Sequence, residues 1–159
     1  MGKLRRNVSS VCAVVAALLF TGATPAFGAV ENAPAFLGRD PERIAMACVR
    51  HVQALTERTV DRNRAIAREC VPQIQALVEA GRREAAEELA ARCTRMVVHG
   101  SNQSRLHLRH DCARCIRMLV FLRAPRLAEH VARVCEEAVG TIGRSEQAAV
   151  TAIRHALGR

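Results

Sequence analysis

The segment LHLRHDCARCIRM, residues 106–118, places His107, His110, Cys112 and Cys115 within nine residues. Imidazole and thiolate are the side chains that bind Zn²⁺, and four of them complete a tetrahedral site. The same thiols, one helical turn apart in a helix whose N-terminus lies near Asp111, form a redox pair activated by the helix dipole. A third reading makes both cysteines members of a disulfide framework. The local pattern fits all three, so the elements that carry it have to decide.

Aligning the chain on its cysteines gives those elements. Cys48, Cys70, Cys93, Cys115 and Cys135 follow one another at spacings of 22, 23, 22 and 20 residues. Four residues before them stand Ile44, Ile66, Leu89, Asp111 and Val131; three before stand Ala45, Ala67, Ala90, Cys112 and Ala132; four after stand Val52, Ile74, Val97, Leu119 and Val139. This reads as an internal repeat of about 22 residues. The recurring offsets fall within about 100° of a helical wheel, so each unit is expected to be an amphipathic helix with a cysteine centred in its buried stripe. The fold class is all-α, with five to six short helices in an antiparallel bundle or a short α-solenoid, stapled by disulfides.

Punctuation places the expected boundaries. Asp40-Pro41 is a cap followed by proline at the first helical position, and Pro125 opens another helix. Gly81 and Gly100 stand where helices should stop, and Ser145 caps a last helix without a cysteine. Pro72, two residues after Cys70, is expected to kink or break the second helix. Strands have little support in a chain dominated by Ala, Arg, Glu and Leu.

Cys112 replaces the alanine of the other units and shares a face with Cys115, so one helix is expected to bond to two neighbours. The pairing expected on this reading is Cys48 with Cys70, Cys93 with Cys112, and Cys115 with Cys135, one of 15 that six cysteines allow. Because the repeat accounts for both cysteines of the 106–118 segment, the disulfide reading is adopted. The metal site from His107, His110, Cys112 and Cys115, a Cu(I) site lined by all six thiols, and redox use of the pair are the alternatives.

The N-terminus carries the layout of a secretory signal peptide: Lys3, Arg5 and Arg6, an apolar run over residues 11–20, then small residues ending near Ala26 and Gly28. Residues 1–28 are expected to be cleaved, 29–40 to form a short linker, and 41–158 to form one helical domain. The apolar run is shorter than the roughly 20 residues a membrane span needs, and the remainder holds no transmembrane span. Cleavage removes three of the 24 basic residues and no acidic one, so the net charge falls from +9 to +6 and the cysteines from seven to six. An even count in a short exported chain suits a secreted or periplasmic protein with disulfide bonds.

Composition removes further chemistry. Beyond residue 28 there is no Lys, Tyr or Trp, and the aromatics are Phe36 and Phe121. Lysine Schiff bases and P-loops are excluded, and aromatic stacking platforms nearly so. G-x-S-x-G, H-E-x-x-H and C-x-x-C-H are absent. Ser101, Ser104 and Ser145 read as loop or capping residues, and His51, His99, His130 and His155 as surface or capping residues. No catalytic residue, cofactor or metal is assigned.

All 21 basic residues after residue 28 are arginine. Arg92, Arg95, Arg114 and Arg117 sit one before or two after a cysteine, opposite the buried stripe. They form a candidate surface for an acidic partner such as an anionic envelope polymer, a lipid head group or nucleic acid. The simpler reading is a solvated face, offset by Glu87, Glu88, Glu136 and Glu137. The expected function is an exported, non-enzymatic helical module with a structural or partner-binding role; the alternative is an envelope metal-binding or thiol-redox protein using the 107–115 cluster.

Overall fold

The structure, a computed structural model, describes residues 40–158. The expected signal peptide and the linker up to residue 39 lie outside the described residues. Three helices, not five or six, make up the described chain: α1 (Pro41–Glu79), α2 (Arg83–Phe121) and α3 (Pro125–His155). Residues 80–82 and 122–124 are the only connections, so the chain runs up, down and up, and each helix packs on both others. At 1.5 Å per residue, the 39 residues of α1 and of α2 each extend about 58 Å.

The first two helices are about twice the expected length because each carries two of the aligned cysteines, while α3 carries Cys135 alone. Cys48 and Cys70 lie on α1, Cys93 and Cys115 on α2. Burial shows why no break is required between units. Val52, Asn63 and Ile74 are buried at intervals of eleven residues; so are Ala86, Val97, Leu108 and Leu119, and Val131, Ile142 and Ile153. Eleven residues make three turns with about 20° of drift, so two such steps return a side chain to nearly the same face. A cysteine spacing of 22 is therefore compatible with one uninterrupted helix.

The signals read as breaks act differently in place. Gly81 does end α1: its φ of 69° puts it in the left-handed region, and Arg82 N–H and Gly81 N–H bond to the carbonyls of Leu77 and Val78 at 2.9 and 3.0 Å. Gly100, by contrast, lies inside α2, where a Cβ would come within 3.1 Å of the Arg62 guanidinium on α1. Ser145 lies inside α3 and faces Asn63 rather than capping a helix. Pro72 does not end α1, which runs on to Glu79. It stands on the exposed face, where the Arg68 carbonyl that it deprives of a donor can be met by water. Asp40 caps α1, accepting from Glu42 N–H at 2.9 Å, and Pro125 occupies the first turn of α3.

The interior is two apolar clusters with a polar waist between them. One end holds Ile44, Val52, Leu108, Leu119, Val131 and Ile142 with Cys48, Cys112 and Cys135. The other holds Ile74, Val97, Val150 and Ile153 with Cys70 and Cys93. Alanines fill the remaining contacts, among them Ala45, Ala86, Ala90, Ala128 and Ala138, so the helix backbones approach closely. Each fully buried Ile or Leu contributes about 1.5–3 kcal/mol, and among the described residues no aromatic is buried to add more.

Candidate functional site

All six cysteines of the described residues are bridged. Cys48 bonds to Cys115 and Cys70 to Cys93, both between α1 and α2, while Cys112 bonds to Cys135 between α2 and α3. The Cα–Cα distances are 6.3, 6.5 and 6.3 Å. None of the three expected pairings occurs. Cys48 and Cys70 stand on one helix about 33 Å apart, and Cys93 and Cys112 on another about 28 Å apart, far beyond the roughly 7 Å limit for a bridge. Cys112 and Cys115 do serve two different helices, but Cys115 points to α1 and Cys112 to α3.

The 106–118 segment is thereby resolved. Its two thiols are spent on separate bridges, and His107 and His110 lie on the exposed side of α2. Among the described residues, no three His, Cys, Asp or Glu side chains are gathered so as to hold a metal ion. Asp111, which interrupts the apolar pattern, is instead an inter-helix contact: His51 Nε2 on α1 lies 3.0 Å from its Oδ2, and His110 Nδ1 lies 3.5 Å from its Oδ1.

The waist is the buried polar feature that sequence reasoning missed. Asn63 Nδ2 donates to Ser101 Oγ at 3.0 Å and to Ser145 Oγ at 3.4 Å, while Ser101 Oγ lies 3.4 Å from Asn63 Oδ1. One level away, Thr59 Oγ1 donates to the Leu55 carbonyl at 2.8 Å and lies 3.0 Å from Ser104 Oγ. Asn63 and Ser101 occupy buried positions in the eleven-residue pattern, at 1% and 0% exposure. Beside them, Arg105 Nη1 on α2 approaches Glu146 Oε2 on α3 at 2.8 Å, an ion pair without the alignment of a hydrogen bond, and Arg105 Nη2 donates to Asn102 Oδ1 at 2.6 Å. The three helices thus meet through hydroxyls and one amide that satisfy one another. Such a layer fixes register and offers no nucleophile paired with a base. The signal was present as polar and small residues midway between the cysteines at 59–63 and 100–104, and again after Cys135 at 140–145.

The cationic strip lies along the outer side of α2. Arg92, Arg95, Arg114 and Arg117 are all exposed and fall within about 100° of its wheel, opposite the buried residues. His99 and His110 share that arc. Over residues 89–121 there are six arginines and one acidic residue, Asp111, a net +5 by formal charge. Over the whole of α2 seven arginines meet four acidic residues, a net +3, and over the whole of α3 four arginines meet four glutamates. Glu87 and Glu88 lie at the N-terminal end of α2, before the strip begins, and Glu136 and Glu137 are on α3. Glu87 pairs with Arg83 at 3.5 Å, and none of the four lies on α2 between Arg92 and Arg117. Compared with known proteins, the chain matches no family model, no curated protein and no solved structure.

Two further surface features stand apart from this strip. A groove of about 720 Å³ between α1 and α3 has an alanine floor, Ala67 and Ala149 among it, and a rim of Asp61, Arg64, Arg68 and Arg144. Leu106, Val120 and Phe121 on α2 are exposed to 67, 57 and 79%, as is Met46 on α1 to 58%. No helix among the described residues is long and apolar enough to cross a membrane.

Proposed function

We propose that this is an exported, non-enzymatic module: a helical rod, braced by disulfides, that presents a fixed surface to a partner. The observation that carries the reading is that every cysteine of the described residues links one helix to another. Thiols in that state hold the fold and leave neither a ligand nor a nucleophile. Three bridges suit an oxidising compartment, and the basic-then-apolar N-terminal residues supply the route to one. The long outer faces and the hydrogen-bonded waist favour recognition at the surface over chemistry in a cleft.

Thiol titration of the secreted protein, denatured but unreduced, tests both halves. With residues 1–28 removed, no thiol reacts. Six reactive thiols would overturn the braced module, a single one would report a retained Cys12 and overturn the removal of residues 1–28, and failure to recover the protein outside the cytoplasm of an exporting host would overturn the export step.

A further inference from the structure

We infer that the outer face of α2 is a docking surface for an anionic lipid bilayer, with the arginines meeting phosphate head groups and Leu106 and Phe121 entering the apolar boundary. This rests on the reading of the protein as a surface-presenting module and names what that surface meets.

Two independent features of one helix coincide. The first is charge. Arg92, Arg95, Arg114 and Arg117 project from one exposed arc of α2; Glu88 shares that arc one turn before Arg92, no carboxylate lies on it between Arg92 and Arg117, and Asp111 is turned aside to His51 on α1. Guanidinium groups bond to phosphate oxygens in pairs, so an all-arginine strip fits phosphodiester head groups well. The second is exposed apolar surface. Three of the four large hydrophobic side chains left exposed among the described residues belong to α2. Leu106 and Phe121 fall on the same arc as the arginines, by wheel position, and Val120 lies at its edge. One exposed leucine is ordinary. A leucine midway along a cationic strip and a phenylalanine at its end, both on the strip's own face, let one surface bind head groups by charge and reach the apolar boundary beneath them.

Geometry separates a bilayer from a soluble polyanion. The arc is the outward side of a helix about 58 Å long. A plane touches such a cylinder along its full length, which brings both arginine pairs and both apolar side chains into contact at once. A soluble polyanion would use the arginines and leave Leu106 and Phe121 in water.

The test is co-sedimentation of the oxidised mature protein with vesicles of equal parts phosphatidylglycerol and phosphatidylcholine, and with phosphatidylcholine alone. Binding is expected to the mixed vesicles only, and to fall steeply with salt. Each arginine near an anionic surface is worth about fivefold in partition. The fourfold variant R92Q/R95Q/R114Q/R117Q should therefore bind at least about a hundredfold more weakly. L106S/F121S keeps every charge and should lose at least about tenfold on vesicles, while eluting from heparin resin at the wild-type salt concentration. All six positions are exposed, so the variants should fold, which circular dichroism checks. Retention on heparin without vesicle binding, equal binding to neutral vesicles, or wild-type vesicle binding by L106S/F121S would each overturn the proposal. None of these results bears on the thiol titration, so the two readings fail separately.

Discussion

At the scale of single residues, the waist shows what a polar side chain costs when its partner is removed. Asn63 is buried against Ser101 and reaches Ser145. Asn63→Ala leaves the fully buried Ser101 hydroxyl without its partner and should lower stability by about 1–3 kcal/mol. Removing donor and acceptor together, in N63L/S101A, should cost less than N63A alone, because no polar atom is then stranded. Denaturant midpoints of the two variants decide the matter, and the reverse order would mean that the pair does not act as a unit. A second residue carries strain in the opposite sense. Arg123 closes α2 with φ 56°, its N–H and that of Ala124 bonding to the carbonyls of Val120 and Leu119, both at 2.9 Å. A left-handed residue with a Cβ costs about 1–2 kcal/mol, so Arg123→Gly should raise the thermal midpoint. Gly81 already holds the equivalent place after α1. At this scale the sequence was legible where a residue acts alone, as at Asp40, Gly81 and Pro125. It was not legible where a residue acts through a distant partner: Ser101 and Ser145 read as caps because Asn63, 38 and 82 positions away, is invisible to local pattern.

Element boundaries turn on the difference between a break and a tight contact. Glycine, serine and proline punctuate a chain by their own backbone preferences. In a long helix held by packing, those preferences are overridden, and small residues instead mark where another helix comes close. Gly100 admits the Arg62 guanidinium in this way. Helix type and amphipathic face followed from spacing alone. Helix number did not, since a cysteine every 22 residues is equally consistent with two short helices or with six turns of one. The arginine strip survived the change in helix number because an outward offset from a cysteine stays outward in either case. Pro72 gives the test at this scale. It lies in the interior of α1 with one backbone bond missing. Pro72→Ala restores that donor, and on an exposed helix face should stabilise the protein by about 1–3 kcal/mol, read from urea unfolding. A loss of stability would mean that α1 depends on a bend there.

For the whole molecule, the distribution of bridges matters more than their number. Two join α1 to α2, one at each end, and a single bridge at Cys135 holds α3, near one end only. The half of α3 carrying Ala149, Val150 and Ile153 is retained by apolar packing and the waist alone. Amide exchange in the oxidised protein should therefore be faster around residues 149–153 than around 131–135 of the same helix. Replacing Cys112 and Cys135 by alanine should bring the two halves to similar rates and lower stability by about 3 kcal/mol, the value for closing a loop of this length. Uniform protection along α3 in the native protein would show that the packing, not the bridge, sets its stability.

Every one of those bridges has one end on the middle helix, and this bears on survival in the presence of proteases. The two exposed turns each contain an arginine, Arg82 and Arg123, and are natural sites of cleavage by a trypsin-like protease. A molecule clipped at both would consist of three separate peptides, yet none could diffuse away. It should run as one band on a denaturing gel and come apart into three pieces only when a reductant is added.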